Sequence, residues 1–461
     1  MQQRRPSIAP TPMRRLLPAL LLAPGLALAQ SLPDLVRDAL ASDPAIAAAQ
    51  AQVRAADERL VQARAAFGPS MSAVADVGNN RYTDYLEPEL RHFRSNSVGL
   101  QLTQPIIHND LIWAHGSASA QLEQAQAAVD QARQDAQEKF VEACFEVLKA
   151  RDDVRFLQAQ KAATAEQLET AQHSFKTGTA AIPDVREAQA KADTVAAQLV
   201  GAQFDLEMRQ QVLAELAGHP VPALLGRGLD GVQMPRLEAD SVLQWLGDAA
   251  AASPQIRQAQ RALAVAEAEM QKARSAHGPV VEAKASVTHG METGSETSFF
   301  PRKYQDASIS VHLTVPLFSS GATSAHAREA EAGFDKARAD LDAARRAVII
   351  AVRQDFTAAL SAISETRGLE SAVRSNEVAL AANRRGYQVG MKINAEVLDA
   401  QQKLFEARRD LSKARYDAWL NWIKLNAQAG RLDEQRIAQL DALLVEQPDP
   451  IVQLKTSRTR P

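Results

Sequence analysis

The chain repeats itself once, at long range. Asp43-Pro44 returns as Ser253-Pro254, Gly68-Pro69 as Gly278-Pro279, and Leu102-Thr103-Gln104-Pro105 as Leu313-Thr314-Val315-Pro316. FKTGTAAIPDV around Gly178 returns as YQVGMKINAEV around Gly390. The offset between these landmarks stays at about 210 to 212 residues, far longer than a solenoid repeat, so it marks a duplicated domain half. Whatever one half folds into, the other must fold into as well.

Each half opens on helical material, Leu32 to Phe67 and Val242 to His277, split where Pro44 and Pro254 start a new first turn. After each glycine-proline pair the hydrophobic period drops to two. Met71, Ala73, Ala75 and Val77 face one way, and Ser72, Asp76 and Asn80 the other. Val98, Leu100 and Leu102 repeat the pattern, as do Val281 to Val287 and Ile309 to Val315. These are four strands of about ten residues, each with one apolar and one polar face. The stretches between paired strands, Tyr85 to Ser95 and Met291 to Tyr304, read as loops.

From Ser117 to Thr177 there is neither glycine nor proline, which predicts a helix of roughly 90 Å. Its seam is heptad-spaced: Phe140, Ala143, Val147, Ala150, Val154, Leu157, polar Lys161 and Thr164, then Leu168, Ala171 and Phe175. The second half matches with a helix from about Ala322 to Tyr387. Gly178 and Gly390 stop the two helices as C-terminal glycines do, and return helices run from Asp184 to Leu216 and from Asn394 to Ala429. Each half is therefore two short helices, two strands and a long helical hairpin. The low aromatic share, 5%, suits helices packed closely through small residues.

Residues 1–29 read as a signal peptide: Arg14 and Arg15, an apolar run from Leu16, and Ala27-Leu28-Ala29 before Gln30. Its removal takes four arginines and no acid, moving the charge from −3 to about −7. No cysteine follows the cleavage site, so no lipid anchor is expected there, and no hydrophobic helix of spanning length is expected in the mature chain. Cys144, the single cysteine, lies in an apolar helical run and reads as a small buried hydrophobe. His108 and His115 flank a strand-to-helix corner and read as structural or exposed. No metal-ligand spacing, nucleophile elbow or phosphate loop is present, so neither an enzyme nor a cofactor is expected.

Four amphipathic strands are too few for a membrane barrel, which starts at about eight. An open sheet edge is forbidden in lipid, so strands must be pooled between chains, two chains giving eight and three giving twelve. The helices exceed a bilayer of about 40 Å and must project into an aqueous compartment.

The duplication, the Pro-flanked strand pairs, the tip motifs FKTGTAAIPDV and YQVGMKINAEVLDA, and VPLFSSGAT at 315–323 resemble the TolC family of outer-membrane channel-tunnels over nearly the whole mature chain. The resemblance implies a mainly α fold with a membrane β-barrel. Three chains would pool four β-strands each into a 12-stranded barrel, and long coiled-coil hairpins into a 12-helix α-barrel. The expected domains are 30–217 and 241–430 as the two repeats, 218–240 as a linker in the equatorial region, and 431–461 as an equatorial segment with a tail. The implied role is a homotrimeric exit duct for tripartite efflux or type I secretion, carrying drugs or unfolded proteins. Its implied partners are a periplasmic adaptor, an inner-membrane ABC or RND-type pump and outer-membrane lipid, with no nucleic acid. At the tip, the family likeness puts Glu396 and Asp399 in the acidic ring at the narrowest point, and Tyr387, Lys392 and Asp184 in a lock that holds it closed. Lys392 stands where relatives often carry arginine, and a point charge replaces a bidentate fork; Pro183 replaces a side-chain donor. The bland reading of Asp184 and Glu396 is that a first helical turn favours an acid. Asp399 lies beyond that turn, on the same face as Glu396. Rival classes are a periplasmic adaptor or a coiled-coil scaffold without a pore. An adaptor pairs one hairpin with compact β-domains, where this chain carries two hairpins and membrane-length strands.

Overall fold

The computed structural model describes residues 31–83, 90–179, 181–221, 227–229, 232–237, 241–295 and 300–446. The expected signal peptide and the basic tail with Lys455, Arg458 and Arg460 lie outside them. In chain order the elements are α1 (Leu32–Ser42), α2 (Pro44–Ala65), β1 (Ser70–Thr83), β2 (Leu90–Ile107), α3 (Asn109–Lys176), α4 (Ile182–Ala217) and β3 (Arg227–Gly228). They continue as α5 (Val242–Ala252), α6 (Pro254–Ser275), β4 (Val280–Glu292), β5 (Arg302–Thr314), α7 (Ala322–Gln388), α8 (Asn394–Gln428), α9 (Glu434–Leu443) and β6 (Val445–Glu446). Asp43 shows why the breaks fall at proline. Its carboxylate accepts from the amides of Ala45 and Ile46, at 2.7 and 3.1 Å, while Pro44 occupies the first turn, where no amide is missed.

The four long strands form one antiparallel sheet in the order β1-β2-β4-β5. Register places Met71, Leu102, Ala285 and Ile309 in one row, and Ala73, Leu100, Val287 and Ala307 in the next. This apolar face is uncovered: Met71 is 72%, Val98 63% and Ile309 87% exposed. The opposite face carries Ser72, Gln101, Ser286 and Ser308, and the last two hydroxyls meet at 2.9 Å. A sheet that is greasy on one side and wet on the other, with nothing covering the greasy side, is built to stand between lipid and a lumen. Among the described residues, neither edge strand, β1 or β5, has a neighbour on its outer side.

The strands run 13 to 18 residues, longer than expected. Leu90 to Ser95, read above as loop, is strand, because Thr83 to Gly78 supply its ladder partners even though polar side chains there hide the period of two. Gly99 is needed inside β2, since a Cβ there would lie 2.8 Å from Thr288 Oγ1 and 2.9 Å from the Val287 carbonyl. Backbone cannot yield cheaply, so Gly99→Val should cut the amount of heat-stable, sheet-assembled protein in the membrane several-fold, read by gel migration with and without boiling.

At 68 residues α3 is about 100 Å long; it starts eight residues before the expected Ser117 and passes through Gly116, where a Cβ would meet nothing within 4 Å. On its seam Phe140, Val147, Ala150, Val154, Leu157, Thr164 and Ala171 are buried, while Lys161 and Phe175 are exposed. α3 packs on α4, α7 on α8, and α8 also lies along α3. Small residues set the close approach near the tips, where Ala171, Ala188 and Leu398 join α3, α4 and α8.

The main core lies at the other end of the hairpins. Leu32, Leu35 and Val36 of α1 pack with Phe140, Phe145 and Leu148 of α3, Tyr416 and Ile423 of α8, and Ile437 and Leu440 of α9. The Leu32 amide donates to Asp441 Oδ1 at 2.9 Å. The equatorial belt expected from 218–240 and 431–461 also takes in α1, from the other end of the chain. Cys144 is fully buried here, and burial pushes its thiol pKa up. The expectation of no helix apolar enough to cross a membrane needs correcting, because α7 contains such a window. Within α7, Val348 and Val352 pack on Trp245, Ile256 and Leu425, while Ile349, Ile350 and Leu360 of the same stretch stay exposed.

Candidate gate at the hairpin tips

Both tips close in the same way. Gly178 takes φ +80° and Gly390 φ +76°, the left-handed region that favours glycine. The Gly178 amide donates to the Phe175 carbonyl at 3.0 Å and the Thr179 amide to that of Ser174 at 2.9 Å. The Gly390 and Met391 amides donate to the carbonyls of Tyr387 and Gly386 at 3.0 and 2.9 Å. This is the paired Schellman pattern, and it explains why the chain writes the motif twice.

The two tips then diverge. Asp184 accepts from the Ala181 amide at 3.1 Å, capping its own helix. Glu396, at the matching position, instead receives Lys392 Nζ from the tip turn in an ion pair. One turn further, Lys403 Nζ lies 2.8 Å from Asp399, and that hydrogen bond raises the lysine pKa. Within one chain, Lys392 and Asp184 are therefore not brought together; each serves its own hairpin. Gly386 explains the lysine's posture, for a Cβ there would lie 2.7 Å from Lys392 Cγ. Tyr387 is partly buried against the cluster of Leu380, Val397, Ala400 and Leu404. Gln167 of α3 donates to the buried Asn394 of α8, linking the two hairpins at tip level.

Nearer the belt, a second link between hairpins has no counterpart in the sequence reading. Asp152 on α3 is 1% exposed and accepts from Ser412 Oγ at 3.1 Å and Tyr416 Oη at 3.0 Å, both on α8. Arg151 Nε lies 3.0 Å from it and Arg155 4.0 Å, so the carboxylate is charge-compensated and hydrogen-bonded. Burial pushes the Tyr416 pKa up, and Asp152 adds to the shift. In the sequence Arg151-Asp152-Asp153 resembles a solvated charge run; only the seating of α8 on α3 buries it.

The sequence reading also missed a stripe on α4. Val200, Phe204, Met208 and Val212, spaced four apart, are 52 to 65% exposed. On the far flank, α7 exposes Ile350, Leu360 and Val378.

A sheet with a bare apolar face and open edges, joined to helices long enough to leave a membrane far behind, defines an outer-membrane channel with a helical tunnel. The family model for outer membrane efflux proteins matches twice, over residues 35–219 and 245–431. This chain belongs to the outer membrane efflux protein family. It is 29% identical over 415 residues to outer membrane protein TolC of Vibrio cholerae, covering 90% of this chain and 94% of that protein. It is also 29% identical over 426 residues to alkaline protease secretion protein AprF of Pseudomonas aeruginosa, covering 89% and 87%. Among solved structures, the outer membrane protein VceC of Vibrio cholerae superposes with a TM-score of 0.73 at 20% identity, over 87% of this chain and 96% of that one. The localisation that follows is the outer membrane, with the tunnel in the periplasm. The family is one of channels, and the adaptor or scaffold alternative falls away.

Proposed function

We propose that the protein is a homotrimeric exit duct that serves an inner-membrane ABC or RND-type pump through a periplasmic adaptor, without catalysis of its own. The observation that carries the pooling of strands between copies is the pair of open edges on β1 and β5, beneath an apolar face that must meet lipid; the number three is what the family likeness implies. Three copies joined β5 to β1 close twelve strands; the same rotation lays the exposed α4 stripe of one copy beside the exposed apolar positions of the next copy's α7. Phe204→Asp with Met208→Asp should abolish the trimer band on unheated gels while leaving helix content intact. A persistent trimer would remove the α4 face from the interface.

The resemblance to AprF, and to the proteases secretion protein PrtF of Dickeya chrysanthemi, favours protein export as one cargo route. Efflux of small molecules is the second, favoured by the family match itself. Complementing a channel-deleted strain separates them: restored secretion of a protease substrate supports the first, restored drug tolerance the second, and failure of both refutes the duct. In this reading residues 30–217 and 241–430 are the two repeats, 218–240 joins them at the belt and 431–461 completes it. Glu396 and Asp399 ring the constriction. Tyr387 and Lys392 hold it shut against Asp184 of a neighbouring hairpin, which requires Lys392 to exchange Glu396 for Asp184 when chains assemble.

A further inference from the structure

Between the two hairpins, above the tips, α3, α4 and α8 enclose a cleft of about 390 Å³. Gln401 lines it, is only 4% exposed, and its amide oxygen has no hydrogen-bond partner. A buried acceptor left unpaired is costly, so a donor is missing there.

The surrounding groups sharpen the chemistry of that donor. The hydroxyl protons of Thr164 and Thr194 are already committed to the carbonyls of Lys161 and Ala190, at 3.1 and 2.7 Å, so both oxygens face the cleft as acceptors. Gln402 gives its amide to Glu406 at 2.9 Å, which leaves its own carbonyl free as another acceptor. Arg409, which also lines the cleft, is drawn to Asp153 at 3.6 Å. Of the lining cations that leaves Lys191 for the carboxylates of Glu187 and Glu406, and Lys403, close enough to Glu406 to feel its charge, is held by Asp399. Gln160 and Gln198 can turn either end inward. The apolar part of the wall comes from Val195, Leu398 and Phe405.

We propose that this cleft binds a linear polyamine. Its ammonium groups donate to Gln401 Oε1 and to the carboxylates of Glu187 and Glu406, and its methylene spacers lie on Val195, Leu398 and Phe405. Such a molecule alternates strong donors with apolar segments and, fully protonated, carries no acceptor of its own. Because Glu187 belongs to the first hairpin and Gln401 and Glu406 to the second, a bound polyamine ties the hairpins together. It favours the arrangement seen here over any in which they part, by its differential affinity for the two. The site is separate from the proposed gate acids, and its test does not depend on them.

The test is calorimetric titration of the purified full-length protein in detergent with spermidine at low salt. We expect saturable binding at one site per chain. In a Glu396→Gln, Asp399→Asn background, which removes the tip ring as a second site for a trivalent cation, this binding should persist, and adding Glu187→Gln with Glu406→Gln should weaken it about tenfold, as should Gln401→Leu. The two glutamates are exposed, so their variant carries the test even if Gln401→Leu fails to fold. Absence of saturable binding, equal binding of an uncharged sugar of similar size, or loss of binding only in the tip variant would each overturn the proposal.

Discussion

Asp152→Ala should destabilise the protein by about 3–5 kcal/mol, because it leaves Arg151 and the Tyr416 hydroxyl without the carboxylate that compensates them inside the packed helices. The loss is larger than that of any surface ion pair in the chain, for which about 1 kcal/mol is the ceiling. It should appear as a lower denaturant midpoint for helix loss and as earlier proteolysis of the hairpins. Asp152→Asn keeps the shape and, with its amide oxygen in the place of Oδ2, the acceptor shared by both hydroxyls, but drops the charge facing Arg151, so its cost should fall between parent and alanine. A midpoint for Asp152→Ala within about 0.5 kcal/mol of the parent would show that the contact with α8 does not hold the hairpins together.

Glu396→Gln with Asp399→Asn is expected to move the channel from cation preference toward neutrality and to weaken block by a trivalent cation added from the periplasmic side. In a trimer these residues would place six carboxylates at the constriction, where low-dielectric walls strengthen their field. A lysine adds a second arm. Lys403 sits on Asp399 within α8, and the pair is substantially exposed, so the lysine screens the ring without neutralising it strongly. Lys403→Gln should therefore deepen cation selectivity, opposite in sign to the acid variant. Reversal potentials across a salt gradient in planar bilayers measure both. Unchanged selectivity in the acid variant would mean that the constriction lies elsewhere on the chain.

The features written in local chemistry were legible. Pro44 and Pro254, preceded by Asp43 and Ser253, mark helix starts because the first turn alone tolerates proline. Gly178 and Gly390 mark the tips because few other residues accept a positive φ. The alternation from Met71 to Val77 and from Ile309 to Val315 announced a half-wet sheet, and the bare apolar face of that sheet is what it announced. Where polar residues fill both faces, from Leu90 to Ser95, alternation vanished and the strand was misread, since only its ladder to β1 defines it.

The sequence by itself determined the duplicated order of elements, the lengths of the hairpins, the tip turns and the sidedness of the sheet. Each of these follows from dihedral preference or hydrophobic period over a few consecutive residues. Only the tertiary structure decided that α1 closes the belt with α9, that Asp152 is buried beneath α8, and that α4 leaves a greasy stripe uncovered. Those outcomes depend on which faces of distant helices meet. A charge run or a stripe of valine and methionine reads the same in sequence whether a partner helix covers it or leaves it to solvent.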